Sequence, residues 1–470
     1  MALMTPRVCY TTSSNRSVSE QKRESDNRVE HLEKESLERG EQITDTALIP
    51  STLSVPSVTP MGRTHEPYLA LHFRDFRLLF IGSFFASIGE QMINVAIGWE
   101  LYERTGSALV LGFVGLVQVL PIFLFSLPAG HLADRLNRKY IILCTQVLLM
   151  LASAGLTVLS LLQGPLPLIY LCLLFIGLAS AFGNPASSAL MPQTVPEYAY
   201  ENAATWSSSS WQLASVLGPA LGGFMIAFLH GAMSVYAFNA ITSLVVLVLI
   251  ALLRVQGQSG QARASTATTR QSLVEGFQFL RQARIIMAAI TLDMFAVLLG
   301  GATTLLPIFA KNILDVGPTG LGWLRAAPSI GAICVSLCLT HISPFKKAGR
   351  VLLLAVVGFG AATIIFGFSR SFWLSLLMLF LLGGFDNISV VIRSTLLLTR
   401  TPDALRGRVS SVNALFIGAS NELGGFESGL AAQLFGPVLA VVGGGVGTLL
   451  VVLCVALIWP EMRRLAALRP

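Results

Sequence analysis

The sequence predicts an all-α membrane protein whose twelve transmembrane helices form two pseudo-symmetric six-helix bundles. Of its 470 residues, 53% are hydrophobic and only 12% are charged, whereas soluble domains carry about 25% charged residues. Apolar runs of membrane length recur along the chain, and short motifs recur at a nearly constant offset between its two halves. This composition indicates that much of the apolar surface faces lipid.

A membrane helix needs about 20 mostly apolar residues. Runs of this kind cover residues 77–102, 107–129, 140–162, 166–189, 203–229, 233–253, 284–310, 319–341, 351–369, 372–398, 409–433 and 437–459. Three pairs of segments match at offsets of 202 to 210 residues: His131–Ile141 with His341–Val351, Pro196–Glu197 with Pro402–Asp403, and Gly222–Phe224 with Gly424–Phe426. Their common order predicts a duplicated six-helix unit.

Five regions follow from this pattern. Residues 1–65 are rich in Ser, Glu, Arg and Asn and predict a disordered cytoplasmic tail, with Met61 as an alternative start of the protein. The remaining regions are an N-terminal bundle at 66–253, a cytoplasmic loop at 254–283, a C-terminal bundle at 284–460 and a cytoplasmic tail at 461–470.

The distribution of Lys and Arg predicts the orientation. Counting the segments next to the predicted spans, one side of the membrane has twenty of these residues and the other has three, which are Arg104, Lys311 and Arg370. Because cytoplasmic loops collect Lys and Arg, both termini are expected in the cytoplasm. The same rule explains the net charge of +7 without nucleic-acid binding.

The segment at 130–139, GHLADRLNRK, lies between the second and third predicted helices. It resembles the loop at that place in major facilitator superfamily transporters, departing at Asn137, where Gly is commoner. The resemblance implies that superfamily's twelve-helix fold, and therefore a solute carrier that acts as a monomer in the bilayer.

The resemblance also implies a gate at this loop. Gly130 suits a tight turn and a close helix approach, and Asp134 is expected to engage the start of the eleventh helix, where a carboxylate meets the positive end of the helix dipole. Arg135 or Arg408 would assist. The alternative is that Arg135, Arg138 and Lys139 only set the topology. The second copy of the segment lacks the acid, so any such latch is one-sided.

A second motif lies in the fifth predicted helix at Gly218, Pro219, Gly222 and Gly223. Pro219 removes a backbone hydrogen bond and kinks a helix, and the glycines allow close helix contact. The motif resembles the antiporter signature of drug-exporting members, which implies export. Generic glycine packing between membrane helices is the alternative.

Ionisable residues inside membrane spans are costly and mark candidate functional sites. Glu90 and Asp293 are 203 residues apart, so they occupy matching places and are the first candidates for proton coupling. The other candidates are Asp386, Glu422 and Glu427, with Arg325 and Arg393 as charge partners. The alternative for each acid is a structural salt bridge, for example between Glu422 and Arg393.

Arg325 belongs to an LRAAP stretch that resembles the branch of the superfamily containing the enterobactin exporter and macrolide efflux permeases. That branch implies proton-coupled export of a siderophore-like or drug-like amphipathic molecule. The fourth predicted span has no Arg, although many antiporters have one there.

The sequence has no P-loop, GxSxG or HExxH motif and no Cys/His spacing typical of zinc. We therefore expect neither an enzyme nor a bound metal or cofactor. The expected partners are a small-molecule substrate, protons and the lipid bilayer, without nucleic acid. Uptake or uniport of a metabolite, and a non-transporting sensor or scaffold, are the alternative functions.

Overall fold

The computed structural model describes residues 66–254, 277–341, 347–402 and 405–465. The predicted N-terminal tail and most of the central loop lie outside these residues. For eight residues within these helices the structure describes the backbone but not the side chain: Ser126, Leu127, His131, Ala133, Asp134, Ser411, Leu415 and Arg464.

The described residues form helices throughout, and we number the twelve long ones α1 to α12. Their bounds are α1 Arg74–Thr105, α2 Ala108–Arg135, α3 Arg138–Leu161, α4 Leu166–Leu190, α5 Tyr200–Phe228, α6 Met233–Ala251, α7 Arg284–Leu299, α8 Gly317–Thr340, α9 Ala348–Phe368, α10 Phe372–Arg400, α11 Arg406–Phe435 and α12 Pro437–Ile458.

All twelve predicted spans correspond to these helices, which confirms the predicted fold class. Among the described residues, eleven helical segments are long and apolar enough to cross a membrane. The exception is α11, whose 30 residues are long enough but include charged and amide side chains such as Glu422 and Asn421. A helix of this polarity crosses a bilayer when its polar face is turned towards protein or a cavity.

The loop between α2 and α3 is shorter than the sequence predicts. Gly130, expected in a tight turn, lies inside α2, and a Cβ built on it would meet no atom within 4 Å. The chain turns only at Leu136 and Asn137, whose side chain accepts a 3.0 Å hydrogen bond from the Lys139 amide and caps α3. The Asn in place of the usual Gly therefore serves as a helix cap.

The seventh span is also less regular than predicted. Instead of one helix to residue 310, α7 ends at Leu299 and is followed by a 3₁₀ turn at Ala302–Leu305, a helical turn at Leu306–Ile308 and a π-helical turn at Phe309–Ile313. The break falls at Gly300 and Gly301, where a Cβ on Gly301 would lie 2.7 Å from the Gly424 carbonyl of α11. A Cβ on Gly300 would lie 2.6 Å from the Phe359 ring of α9, so the close approach of α9 and α11 accounts for the two glycines.

The two sets of six helices pack in the same pattern. In the N-terminal set, α1 contacts α5 and α6, α3 contacts α4 and α6, and α2 contacts α4. Adding six to each number gives the contacts of the C-terminal set, where α7 contacts α11 and α12, α9 contacts α10 and α12, and α8 contacts α10. The sets meet mainly through α2 with α11 and α5 with α8.

Candidate functional site: a central cavity between two sets of helices

Glycines bring the two sets of helices together where α1 ends and α2 begins, which we call the closed end. On α5 and α8, a Cβ on Gly223 would lie 2.8 Å from Cα of Gly322, and a Cβ on Gly322 would lie 2.6 Å from the Pro219 carbonyl. Gly222 packs on the other side, with a Cβ position 3.1 Å from Cα of Met92 in α1. The motif on α5 thus contacts both α1 and the C-terminal set.

The matching contact joins α2 and α11. A Cβ on Gly429 would lie 2.8 Å from Cα of Gly112, and a Cβ on Gly112 would lie 3.2 Å from Cα of Phe426. Phe426 also packs edge-on against Phe113 of α2, with ring centroids 5.3 Å apart. Two pseudo-symmetric backbone contacts therefore close this end.

Polar contacts add to the closure. Asn312, which follows α7, donates a 2.5 Å hydrogen bond to the Tyr102 hydroxyl of α1. The ammonium of Lys311 lies 6.0 Å from the ring centroids of Trp99 and Tyr102, within cation–π range. Ser107 donates a 3.1 Å bond to Gln433.

Beyond these contacts lies a cavity of about 900 Å³. It reaches from Gly98 near the end of α1 to Leu79 near its beginning, and also to Ile142, Ser187 and Ile250. These last positions lie where α3 begins and where α4 and α6 end. The cavity therefore extends from the closed end towards the opposite end of the bundle.

Three charged side chains line the cavity: Glu90 of α1, Arg325 of α8 and Glu422 of α11. A Cβ on Gly98 would lie 3.7 Å from Nη2 of Arg325, and a Cβ on Gly115 would overlap Oε2 of Glu422. The Arg325 and Glu422 head groups therefore rest against glycines of α1 and α2. Each glycine lies seven residues from its helix end, or about 10 Å along the helix.

Glu90 lies deeper in the cavity. It is eight residues before Gly98, about 12 Å along α1, and its side chain is exposed. Within the described ranges, no Lys, Arg or His lies within salt-bridge distance of its carboxylate.

Asp293, the other first candidate for proton coupling, does not line this cavity, and its role in coupling stays a prediction. The carboxylate is buried in the C-terminal set, where it forms an ion pair with Arg393 of α10. A small separate void is lined by Asp293, Asp386 and Ser389. The predicted alternative, an ion pair between Glu422 and Arg393, is wrong, because Arg393 faces α7 rather than α11.

Glu427 is half-buried and does not line the central cavity. Its carboxylate accepts a 3.5 Å hydrogen bond from the neighbouring Ser428 hydroxyl. Among the described residues, no cluster of three or more His, Cys, Asp or Glu side chains is placed to hold a metal ion.

The residues proposed for the gate lie at the other end of the bundle. Arg138 donates to the Ala189 carbonyl at 3.0 Å, and the Lys139 ammonium donates to the carbonyls of Ala251 and Leu253 at 2.9 and 2.7 Å. These cations satisfy carbonyls near the ends of α4 and α6, as basic residues commonly do at helix C-termini.

Three other residues belong to the proposed gate. Arg135 is exposed at the end of α2, and Arg408 lies in the first turn of α11. The Asp134 side chain lies outside the described residues, so its predicted latch with α11 stays a prediction.

Sequence reasoning missed a buried ion pair near the closed end, between Glu100 and Arg104 of α1. Arg104 also donates to the Gly164, Leu159 and Ser160 carbonyls at 3.1 to 3.3 Å. The i, i+4 spacing of opposite charges at the end of a span was the available signal. Arg104 thus ties α1 to the C-terminus of α3.

Most of the chain matches a known protein family. Residues 66–467 match the family model MFS_3, described as transmembrane secretion effector. The enterobactin exporters EntS of Shigella boydii serotype 4 (strain Sb227) and Escherichia coli O1:K1 / APEC are each 25% identical over 390 residues, covering 83% of this chain and 92% of the relative.

Solved structures share the fold. A bacterial homologue of the human lysosomal transporter Spinster, in an inward-facing and unoccupied conformation, superposes with a TM-score of 0.66 at 15% identity, covering 83% of this chain and 97% of that one. A POT family transporter in complex with 5-aminolevulinic acid gives a TM-score of 0.65 at 13% identity, with coverages of 83% and 96%.

Proposed function

The chain belongs to the transmembrane secretion effector family of the major facilitator superfamily, and from this premise we propose that it exports a siderophore-like or drug-like amphipathic small molecule by proton antiport. The family consists of transporters of small molecules, and the chain is a multi-pass protein of the bacterial inner membrane. Direction, substrate class and coupling are the proposed parts.

The cavity is the observation that carries the proposal. It lies between two pseudo-symmetric sets of helices, is lined by both and is closed at one end by paired glycine contacts. That arrangement suits alternating access, in which the two sets rock about a central site. The volume of about 900 Å³ lies at the upper end of the usual range for small-molecule sites.

The distribution of basic residues gives the orientation of the cavity, which is compatible with export. The cavity extends towards the end of the bundle that carries Arg138 and Lys139, and Lys and Arg collect on the cytoplasmic side. In this orientation the cavity takes its ligand from the cytoplasm, and both termini are cytoplasmic. The relatives named enterobactin exporters favour the same direction and a siderophore-like ligand.

Glu90 is our candidate for proton coupling. It faces the cavity and has no basic partner among the described residues. An unpaired carboxylate in a cavity between helices is free to exchange a proton with the side to which the cavity opens. Glu422 is the second candidate, because it also lines the cavity.

Asp134 remains the proposed gate residue. Open space next to Gly130 in α2 leaves room for another helix to approach this end. Closure would then bring Asp134 to the start of α11. Asp134→Asn is expected to slow transport severalfold at normal expression, and an unchanged rate would contradict the latch.

Inside-out membrane vesicles test the main proposal. Respiration acidifies the vesicle lumen, which corresponds to the outside of the cell, and acridine orange reports the proton gradient. We expect enterobactin or ethidium to dissipate the gradient as protons leave in exchange for the entering compound. Movement of a preloaded compound out of the lumen, driven by the gradient, would indicate uptake and contradict export.

Variants of α1 locate the coupling. Glu90→Gln should abolish the proton flux, whereas Glu103→Gln should leave it unchanged, because Glu103 is exposed at the end of the same helix. Normal proton flux in Glu90→Gln would remove Glu90 from the coupling step and leave Glu422 to be tested in the same way.

A further inference from the structure

The two sets of helices line the cavity with different chemistry. The C-terminal set contributes six residues, all polar: Thr303, Thr304, Arg325, Ser329, Asn421 and Glu422. The N-terminal set contributes many apolar residues, among them Val114, Val119, Ile122, Leu149 and Ile176. Nearly as many polar residues of that set also line the cavity, for example Gln118 and Gln146. A bound molecule would therefore meet an entirely polar wall on one side and a mixed wall with apolar patches on the other.

Arg325 is the only cation among the described residues that line the cavity. Its guanidinium reaches across to α1 at Gly98, and its Nε is buried without a hydrogen-bond partner. Among the described residues, no carboxylate lies within 4.0 Å of its nitrogens. A buried donor without a partner costs free energy, and the Nε–H of Arg325 has no acceptor among the described residues.

The acids nearby do not supply the missing acceptor. Glu422 lies at a similar distance from the closed end but against α2, and its Oε2 rests on Gly115. Glu90 lies about 12 Å further along α1. The guanidinium thus presents a planar set of N–H donors to the ligand space, in a form that matches two oxygens of one acidic group.

We propose that Arg325 binds an acidic oxygen group of the transported molecule, a carboxylate or phenolate, while its apolar body lies against α2, α3 and α4. This inference rests on the proposed function, because it names the chemistry of the ligand that the same cavity carries. It places the acidic group near the closed end and the apolar body along the N-terminal set.

The test measures equilibrium binding to the full chain in lipid nanodiscs, with empty nanodiscs subtracted. Three probes share one aromatic body: 2-naphthoate, neutral 2-naphthamide and cationic 2-naphthylmethylammonium. We expect 2-naphthoate to bind at least about tenfold more tightly than the amide, since hydrogen bonds to charged groups contribute about 1.5–3 kcal/mol.

Three variants locate the effect. Arg325→Gln should remove the preference for the acid, and Arg325→Lys, which keeps the charge but not the planar donors, should retain part of it. Arg370→Gln is the matched control, because Arg370 is exposed between α9 and α10 and should behave as the parent. Glu422→Gln should strengthen 2-naphthoate binding severalfold by removing a nearby negative charge.

Three results would overturn the proposal. These are equal binding of acid and amide, an acid preference that survives in Arg325→Gln, or tightest binding of the cation with its loss in Glu90→Gln. If Arg325→Gln does not fold, Arg325→Lys takes its place. An acid preference in that variant as strong as in the parent would then overturn the proposal. Binding is measured without a gradient, so these outcomes are independent of whether the vesicle experiment supports proton-coupled export.

Discussion

Each set of helices has a carboxylate at the matching position, but the two carboxylates differ in exposure and in ion pairing. Glu90 in α1 is exposed in the central cavity with no basic partner among the described residues, whereas Asp293 in α7 is buried against Arg393 of α10. At the offset of 206 residues that relates Pro196 to Pro402, the position matching Arg393 is Ser187, which lines the cavity.

The difference indicates that the matching acids of the two sets have different roles. In the C-terminal set the acid joins α7 to α10, and its charge is neutralised within the bundle. In the N-terminal set no Arg stands at the matching place in α4, and the acid lines the cavity without an ion pair among the described residues, as the proposed proton coupling requires. The absence of an Arg in the fourth span therefore fits coupling through Glu90 rather than through an internal ion pair.

The largest effect on stability is expected from breaking the ion pair between Asp293 and Arg393 in the C-terminal set. Arg393→Met leaves Asp293 as a buried, unpaired charge, and removing one partner of a buried pair costs about 3–5 kcal/mol of unfolding free energy. Unfolding of the purified protein in detergent measures this cost. The double variant Asp293→Leu/Arg393→Met should recover most of it, and failure to recover would show that the two residues do not act as a pair.

The next effect concerns the two glycine contacts between the sets. Gly322→Ala places a methyl group 2.6 Å from the Pro219 carbonyl, and such overpacking costs about 1–3 kcal/mol. Spin-label distances across the closed end should therefore lengthen in a larger fraction of molecules. Gly112→Ala is the matched variant with a gentler contact of 3.2 Å, and an equal or larger opening there would reverse our ranking of the two contacts.

A smaller effect is expected at the polar contact of the closed end. Tyr102→Phe removes the hydroxyl that accepts from Asn312 but keeps the ring beneath Lys311. One hydrogen bond contributes about 0.5–1.5 kcal/mol. The fraction of molecules that show the longer spin-label distance should therefore rise a few-fold. Tyr140→Phe, exposed at the opposite end, serves as the control and should change nothing.

The smallest effect on stability is expected at Glu90. Because this side chain is exposed to the cavity and unpaired, Glu90→Gln should change the unfolding free energy by no more than about 0.5 kcal/mol, even where proton coupling is lost. The same unfolding measurement, made on Glu90→Gln and Arg393→Met under identical conditions, checks this expectation. A loss comparable to that of Arg393→Met would mean that Glu90 is structural and that the two acids are alike.

Much of the fold could be predicted from the sequence, because membrane length and apolar composition are properties of each segment alone. The helix bounds at α4 or α12 fall within a few residues of the apolar runs. The break after α7 was not predicted, since Gly300 and Gly301 are apolar by composition and only the approach of α9 and α11 explains them. Likewise, Gly130 gave no sign that α2 continues to Arg135.

The candidate site was predicted only in part. The sequence identified the charged residues and the glycine motif on α5, and the structure adds which neighbours each one contacts. Glu90, Arg325 and Glu422 reach one cavity, whereas Asp293, Asp386 and Arg393 form a separate cluster. Equal spacing in two repeats marked Glu90 and Asp293 as matching candidates, but spacing carries no information on Arg393, which pairs with only one of them.

The sequence by itself determined the number of helices, their approximate bounds, the internal duplication and the superfamily, because each depends on local composition or on motifs within one segment. Only the tertiary structure decided which charges are paired and which face the cavity. Asp293 and Arg393 are 100 residues apart in the sequence, and their contact depends on how α7 and α10 are rotated against each other. That rotation is set by packing among many helices, so no single segment encodes it.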